Sequence, residues 1–231
     1  MRFDIITIFP EIFSSYFQES LLARARKKHL LEINVHNLRD WTDDNHKTVD
    51  DSPFGGGLGM VLKVEPLYRA VSTLKSKVKS QKSKVIVFTP RGKKFTQKKA
   101  YEFSKLDQLI MVCGRYEGVD ERVGKYLADE QISIGDYDLM GGELPAMVVV
   151  ETVSRLIPGV IGKDEFLKEH IQDGGFAEYP QYTRPEVYEA RLRSAKGGTS
   201  ARQRWKVPKV LVSGDHKKIA EWRAKHGKII R

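Results

Sequence analysis

The stretch SIGDYDLMGGELPAM, residues 133–147, begins at the end of a strand-like segment and leads into a helix-like one. Between the two lie three glycines and the acidic residues Asp136, Asp138 and Glu143. A glycine loop at a strand-to-helix junction often holds a phosphate, because its backbone N–H groups can approach the ligand closely. Acidic side chains would repel a phosphate, so this loop predicts a different kind of ligand.

Strand-like and helix-like segments alternate before this loop. Strands are predicted at 2–9, 30–38, 84–90, 107–114 and 131–135. Helices are predicted at 10–28, 65–76, 96–106, 116–130 and 143–159, with Thr96 available as an N-cap. This alternation predicts an α/β domain with a largely parallel sheet.

After Gly162 the pattern changes. Residues 163–185 are polar and interrupted by glycine and proline, and DHKKIAEWRAKHG (215–227) has the pattern of one helix. We therefore expect a first domain over 1–162, a linker over 163–185, and a small, mainly helical C-terminal domain over 186–231.

The charge is unevenly distributed along the chain. Residues 1–162 carry 24 basic and 21 acidic residues, a net of +3, whereas residues 163–231 carry 16 and 9, a net of +7. The segment 190–206 has six basic residues and no acidic one. Such a segment can be a solvated loop, but it also attracts polyphosphates through counterion release. The asymmetry favours a nucleic-acid partner.

Several classes of protein are disfavoured by composition. The single cysteine, Cys113, excludes an internal disulfide and a multi-cysteine metal site. The apolar run 144–150 is far shorter than the roughly 20 residues of a membrane helix. The N-terminal segment has an acid within its apolar stretch and no small-residue cleavage site, unlike a signal peptide. We expect a soluble, cytoplasmic protein without a membrane partner.

Glycine-containing loops follow three consecutive predicted strands: TPRGKK (89–94), GRYEGVDERV (114–123) and the loop quoted above. In open α/β sheets ligands bind where such loops converge, beyond the carboxyl ends of the strands. No dinucleotide fingerprint or P-loop is present. A fourth stretch, DDSPFGGGLGMVLK (50–63), has four glycines in five positions, which indicates a backbone that must bend or move.

The chain resembles the bacterial tRNA (guanine-N1)-methyltransferases of the TrmD family. The matching blocks follow in order over most of the chain: ITIFPEIF (6–13), DDSPFGGGLGMVLK (50–63), FTPRGKKFTQ (88–97), CGRYEGVDERV (113–123), ISIGDYDLMGGELPAM (132–147), SRLIPGVIG (154–162), EYPQYTRPEV (178–187) and VLVSGDHKKIAEWR (210–223). Several of these blocks are long and distinctive, which makes the resemblance specific.

The resemblance implies methylation of N1 of the guanosine just 3′ of the tRNA anticodon, position 37, with S-adenosylmethionine as methyl donor. It implies a SPOUT-type parallel sheet with a deep trefoil knot, one of the rare exceptions to unknotted chains. It also implies a homodimer with active sites at the interface and a C-terminal domain that binds the anticodon loop of tRNA.

The resemblance also assigns cofactor-binding residues. They are Phe88, Thr89, Pro90, Gly114, Tyr116, Glu117, Gly118, Ile134, Gly135, Asp136, Tyr137, Asp138, Leu139, Gly141, Gly142 and Pro145. A sulfonium cofactor carries positive charge and no phosphate, so nearby acids suit it better than they suit a nucleotide. Asp138 and Met140 depart from the small or apolar residues expected at those two positions.

For the catalytic residues, the resemblance indicates one arginine but leaves several candidates for the general base. N1 of guanine carries a proton, so methyl transfer needs a base for that proton and a donor near O6. Arg155 matches the family arginine proposed to stabilise O6. Counting back from YTRP without a gap places His170 at the position of the family's acid, whereas one inserted glycine at 174–175 aligns Glu169. We favour Glu169, followed by Asp173.

Two further expectations concern the metal and the alternatives. Mg²⁺ is implied near Glu117 and the catalytic acid, since hard oxygen ligands suit this ion, although the sequence contains no metal motif. A catalytically weakened SPOUT-fold protein that only binds RNA stays open as an alternative. So does a related methyltransferase acting on ribosomal RNA or on a ribose hydroxyl.

Overall fold

A computed structural model describes residues 1–77, 82–162, 171–172, 175–192 and 201–230 of the 231-residue chain. The chain divides into two compact units, residues 1–168 and residues 169–231. Each unit is described by itself below. In the parts of the chain that the structure describes, no helix is both long enough and apolar enough to cross a membrane.

The first unit is built around a parallel sheet. Its strands are β1 (Arg2–Thr7), β2 (Glu32–Asn37), β3 (Asp50–Asp51), β4 (Val61–Leu62), β5 (Ser83–Lys94), β6 (Gln108–Val112) and β7 (Glu130–Ser133). Its helices are α1 (Ser20–Lys27), α2 (Val64–Lys77), α3 (Gln97–Phe103) and α4 (Glu143–Ser154). Five strands form one sheet in the order β2-β1-β6-β5-β7, and all of its pairs are parallel. The predicted parallel α/β sheet is confirmed.

Helices cover both faces of this sheet because both faces are apolar. Every residue of β6 is buried, as expected for an inner strand of a parallel sheet. Apolar residues of α1, α3 and α4 pack into the core on one face, and those of α2 pack on the other. The inner strand β1 supplies Phe3 and Ile5 to the first core and Ile6 to the second. Alternation along the strand thus serves two cores.

The predicted helix over 10–28 is wrong in its first half. Pro10–Phe13 and Tyr16–Gln18 form separate 3₁₀ turns, and the α-helix begins only at Ser20, whose φ is 55°. Phe13 and Phe17 stack with ring centroids 5.5 Å apart and are both buried. Their spacing in the sequence is that of a helix, but in the structure two short 3₁₀ turns place both rings in the core.

The predicted helix over 116–130 is also wrong. The backbone of 117–118 bonds to the segment 60–62: Glu117 N donates to Met60 O at 3.0 Å, and Leu62 N donates to Gly118 O at 3.0 Å. Tyr116 has φ of 60° and Gly118 has φ of 114°. Only residues 121–127 are helical, and Val123–Leu127 within them form a π-type turn. Hydrogen bonding to a distant segment overrides the local helical pattern here.

The segment 89–94, predicted as a loop, continues β5 as a strand. Pairing of β5 with β7 shifts register between Phe88 and Lys93, both of which face Ile132. Gly92 lies at this crossing, and a Cβ there would come within 2.6 Å of the backbone of Ile132. Because only glycine leaves room for such an approach, the strand can bend and continue past β7. The N-cap predicted for α3 is confirmed, since Thr96 accepts from Lys99 N at 3.3 Å.

A fully buried aspartate ties three strands of the sheet together. Asp4 accepts hydrogen bonds from Arg2 Nε at 2.7 Å and from Gln108 Nε2 at 2.8 Å, and its Oδ1 lies 2.8 Å from His36 Nε2. Burial alone would raise the pKa of Asp4, but these hydrogen bonds outweigh it and hold that pKa well below its usual range. The carboxylate is therefore charged in the folded protein.

We expect Asp4→Asn to lower the free energy of unfolding at neutral pH by about 3 kcal/mol, because Arg2 loses its buried partner. A depressed pKa contributes stability above the unfolded-state value of about 4 and loses it as pH falls further. The variant should therefore lose less stability than wild type between about pH 5 and pH 2. Urea unfolding across this range measures both effects. Exposed Asp44, whose pKa is lowered mainly by its bond from Thr48, gives a control variant, Asp44→Asn, with a much smaller effect.

The second unit contains more strand than helix in its described residues. Its elements are β8 (Ile171–Gln172), β9 (Gly175–Glu178), β10 (Val187–Leu192), β11 (Ala201–Lys206), α5 (His216–His226) and β12 (Lys228–Ile230). The strands form a β10–β11 hairpin and a sheet in the order β12-β9-β8. The predicted helix over 215–227 is confirmed as α5, with Asp215 as its N-cap.

The expectation of a mainly helical C-terminal domain is therefore wrong for the residues described. The segment 190–206, which sequence reasoning treated as one basic run, supplies the last three residues of β10 and all of β11. Antiparallel pairing runs from Val187 with Lys206 to Leu192 with Ala201. This cross-strand partnership is invisible when each short strand is considered alone.

Candidate active site

A cavity of about 250 Å³ lies beyond the carboxyl ends of β6 and β7 and against residues 88–90 of β5. The three segments predicted to converge there do so. The cavity is lined by Phe88, Thr89, Pro90, Gly114, Arg115, Tyr116, Glu117, Gly118, Ile132, Ser133, Ile134, Gly135, Tyr137, Asp138, Leu139, Met140, Gly141, Gly142 and Pro145. This is the position at which parallel α/β sheets bind ligands.

The structure brings fifteen of the sixteen predicted cofactor-binding residues to this one cavity. Asp136 is the exception: it does not line the cavity, and its exposed carboxylate pairs with Lys94. Four further residues line the cavity, namely Arg115, Ile132, Ser133 and Met140. All four lie within the sequence blocks already quoted. Their place in these loops, and not their residue type, is the sequence feature that could have identified them.

The cavity wall depends on a close approach of α4 to the end of β6. Gly142 N donates to Gly114 O at 3.0 Å. A Cβ at Gly142 would lie 2.6 Å from Cα of Cys113 and 3.1 Å from Gly114 N, closer than side-chain carbons pack against backbone. Gly142 is thus required by sterics, since any side chain would push the two walls apart.

The opposite wall is held by the glycine-rich stretch 50–63. The two backbone hydrogen bonds that join 60–62 to 117–118 fix this wall. Gly59, with φ of 88°, packs so closely that a Cβ would lie 2.8 Å from the Glu117 side chain. Phe54 and Leu58 in the same stretch are fully or almost fully exposed, 101% and 94%. The stretch therefore supports the cavity and also presents apolar side chains to solvent.

A buried carboxylate lies behind the cavity. Glu143 accepts hydrogen bonds from Thr7 Oγ1 at 2.7 Å and from Arg115 Nε at 2.9 Å, and only 1% of its surface is exposed. The Arg115 guanidinium also lies 4.9 Å from the centroid of the Phe9 ring. Because Arg115 is ion-paired here, the carboxylates of Glu117 and Asp138 dominate the charge of the lining. Sequence reasoning treated Glu143 as one more acid of the loop and missed this role.

The one cysteine is unsuited to nucleophilic chemistry. Cys113 is buried, and burial, together with the nearby Glu143 carboxylate, raises the pKa of its thiol well above the ordinary value. The thiol therefore stays protonated at neutral pH. Its position under the cavity indicates a packing role.

Arg155 does not line the cavity. It follows the last residue of α4 and is exposed, whereas Pro145 lines the cavity at the other end of the helix. Ten residues of α-helix separate the Cα atoms of Pro145 and Arg155 by about 15 Å. The predicted bases Glu169 and Asp173, and the alternative His170, lie outside the described residues.

One side of α4 presents exposed apolar residues. Leu144 and Val148 are 57% and 41% exposed and share a helix face with Arg155. Phe9, Ile12 and Tyr16 from the turns after β1 are also exposed, and Tyr16 Oη donates to Glu151 Oε2 on α4 at 2.9 Å. We refer to Phe9, Ile12, Tyr16, Leu144 and Val148 as the α4 patch.

Among the residues that the structure describes, no group of three or more histidine, cysteine, aspartate or glutamate side chains is arranged to hold a metal ion. Of the two acids predicted to hold Mg²⁺, Glu117 lines the cavity, and Glu169 falls outside the described residues. The Mg²⁺ site thus stays a prediction.

Comparison with known proteins identifies the family. The family model described as "tRNA (Guanine-1)-methyltransferase TrmD" matches residues 1–229. A protein of Dictyoglomus turgidum named tRNA (guanine-N(1)-)-methyltransferase is 50% identical over 225 residues, which cover 97% of this chain and 84% of the relative. Proteins of the same name from Citrifermentans bemidjiense and Ruminiclostridium cellulolyticum are 47% and 48% identical, over 97% and 96% of this chain and 84% and 89% of their own. The chain belongs to the tRNA (guanine-1)-methyltransferase TrmD family.

Proposed function

We propose that this protein methylates N1 of the guanosine 3′-adjacent to the tRNA anticodon, position 37, with S-adenosylmethionine as methyl donor. The observation that carries the proposal is the convergence of fifteen family-matched residues on one cavity at the carboxyl edge of the sheet. Its relatives carry the name of this enzyme.

The cavity suits such a cofactor in size and charge. Its volume of about 250 Å³ lies just below the range of about 300–1,000 Å³ that is common for ligand pockets. Five glycines in the walls, Gly114, Gly118, Gly135, Gly141 and Gly142, leave backbone groups accessible to a ligand. Glu117 and Asp138 supply negative charge, which favours a ligand with sulfonium and ammonium groups and disfavours a phosphate.

The chemistry assigned to the protein's own residues is proton removal and charge stabilisation. The cofactor supplies the methyl group. Glu169 accepts the N1 proton of guanine, and Arg155 donates to O6, where negative charge develops as that proton leaves. The target base must leave any stack to expose N1, which an anticodon loop allows.

A homodimer explains the separation between Arg155 and the cavity. The two lie about 15 Å apart along one helix, so Arg155 of one subunit would serve the cavity of the other. The α4 patch supports this arrangement, because two of its exposed apolar residues, Leu144 and Val148, lie on the helix face that ends at Arg155. A two-fold interface presents the same patch from both subunits.

The remaining parts of the chain are assigned as follows. The first domain, 1–162, would form the knotted SPOUT core, supported by the close crossing of Gly92 over the backbone of Ile132. Residues 163–185 would link it to a basic tRNA-binding domain over 186–231, supported by the +7 net charge of 163–231. The enzyme would act on tRNA in the cytoplasm. Mg²⁺ would be held through Glu117 and Glu169.

A methylation assay tests the proposal. We expect transfer of one methyl group to a tRNA transcript with guanosine at position 37 and none when adenosine replaces it, with mass spectrometry locating the methyl group at N1. Methylation at a ribose hydroxyl, or of ribosomal RNA alone, would assign the protein to another SPOUT activity. Tight tRNA binding without any transfer would instead support the RNA-binding alternative.

We expect Glu169→Ala to lower kcat by about 100- to 10,000-fold, since a general base contributes about that factor. Cofactor affinity, measured by calorimetry, should not change. Asp173→Ala and His170→Ala are matched controls from the same segment and should retain kcat within about threefold. Full activity of Glu169→Ala together with loss of activity in Asp173→Ala would move the base to Asp173.

A further inference from the structure

The β10–β11 hairpin exposes a pair of aromatic side chains. Tyr188 and Trp205 are direct cross-strand partners, and their ring centroids lie 5.7 Å apart at an interplanar angle of 38°. Both stay about half exposed, 54% and 52%. Cross-strand aromatic pairs stabilise hairpins. A pair with only this role would stabilise the hairpin more if its rings were buried. These two rings leave large π-faces open to solvent.

The same hairpin carries concentrated positive charge. Residues 187–206 contain six basic residues and one acidic residue, Glu189, a net of +5. Arg204 and Lys206 flank Trp205 in the sequence, so their side chains lie on the opposite face of the hairpin, and both are exposed. Arg204 lies 3.6 Å from Glu189, an exposed and therefore weak ion pair. Single-stranded nucleic acids bind elements that combine positive charge with exposed aromatic rings, because phosphates contact the cations and bases stack on the rings.

Two other aromatic side chains of the second unit, Tyr182 and Trp222, pack differently. Tyr182 packs edge-on against Trp222, and Trp222 stacks on His226 with centroids 4.3 Å apart. The Trp222 ring is thus covered by its own neighbours. Tyr188 and Trp205 contact each other at an open angle, in a strand pair where alternate residues point outward.

We propose that Tyr188 and Trp205 form a stacking site for unpaired nucleotides of the tRNA substrate, with Arg204 and Lys206, on the opposite face of the same strand, contacting phosphates where the RNA crosses the edge of the two-stranded sheet. This inference rests on the proposed tRNA methylation and names a surface of the chain through which that substrate is held. A protein partner is disfavoured, because an acidic protein surface would select the charges without a need for two open aromatic faces.

The test compares full-length variants in binding to an unmodified tRNA transcript. We expect Tyr188→Ala/Trp205→Ala to weaken tRNA binding at least about tenfold, the effect expected for loss of base stacking. Tyr188→Phe/Trp205→Phe keeps both ring faces and should bind within about threefold of wild type. Tyr126→Ala removes a still more exposed tyrosine that has Lys125 beside it, and should leave tRNA affinity unchanged. Cofactor affinity, measured for each variant, reports on the first unit independently.

Two further measurements separate stacking from a structural role. Bound tRNA should quench tryptophan fluorescence in wild type, and Trp205→Phe should lose that quenching while it keeps its affinity. Arg204→Ala/Lys206→Ala should reduce the slope of log affinity against log salt concentration by about one to two.

Unchanged tRNA affinity in Tyr188→Ala/Trp205→Ala would overturn the proposal, as would equal losses in the alanine and phenylalanine variants of the aromatic pair. A change in the oligomeric state of the double alanine variant, without a change in its tRNA affinity, would overturn the proposal and assign the pair to contact between copies. Wild-type protein that neither binds nor methylates tRNA would instead contradict the proposed function itself.

Discussion

Gly142→Ala should nearly abolish methyl transfer through loss of cofactor binding. The added Cβ would lie 2.6 Å from Cα of Cys113, and backbone at the end of a buried strand cannot rotate away from it. Either α4 or the end of β6 must move, and both form walls of the cavity. Overpacking of this kind costs up to about 3 kcal/mol, so cofactor affinity should fall by about 100-fold. Calorimetric titration with S-adenosylmethionine measures the loss.

Gly114→Ala is the matched control for this prediction. Gly114 lies in the same cavity and receives the hydrogen bond from Gly142, but a Cβ there would come no closer than 3.5 Å to any neighbour, an ordinary contact. We expect its thermal stability to stay near that of wild type, with a smaller loss of cofactor affinity than in Gly142→Ala. Equal affinities for wild type and Gly142→Ala would show that the close approach does not shape the binding site.

Arg155→Ala should lower kcat by about 100- to 1,000-fold, the usual cost of removing a donor to a developing oxyanion. Arg155 is exposed at the end of α4 and does not line the cavity, so cofactor affinity and stability should be unchanged. Arg155→Lys keeps the charge without the planar fork and should recover only part of the rate. Single-turnover kinetics with saturating tRNA measures these values. A normal rate for Arg155→Ala would exclude this residue from the reaction.

Mixing two inactive variants tests which subunit supplies Arg155. If one subunit's arginine serves the other's cavity, a mixed dimer of Arg155→Ala and Gly142→Ala has one site with both features intact. Random exchange of subunits would then restore about one quarter of the wild-type rate. If Arg155 serves its own subunit, neither site of the mixed dimer is intact and the mixture stays inactive. The two outcomes differ without any assumption about the rate of either variant alone.

The local pattern of the sequence predicted much of the first unit correctly. Long apolar segments predicted the five strands of the parallel sheet, and helical spacing predicted α2, α3 and α4. These segments succeed because each has one strong period and packs on a large core, so local preference and tertiary packing agree. The position of the cavity also followed, because the carboxyl ends of parallel strands must lie at one edge.

Local pattern failed where contacts between distant segments decide the conformation. The segment after Tyr116 has helical spacing, but its backbone is bonded to the segment 60–62 instead. Strands β10 and β11 are too short and too polar to be recognised singly, and they become strands through their pairing with each other. Hydrogen bonds of this kind outweigh intrinsic preferences, which amount to less than about 1 kcal/mol per residue.

The sequence by itself determined the family, through its ordered motif blocks, and the order of strands and helices that builds the sheet. Only the tertiary structure decided how individual residues act within that frame. Glu143 meets Thr7 across 136 positions of the chain, and Gly142 packs on the backbone of Cys113. Arg155 is separated from the cavity by the length of α4. Periodicity reports which face of an element is buried, but a contact between elements depends on how the whole chain packs, which no local pattern encodes.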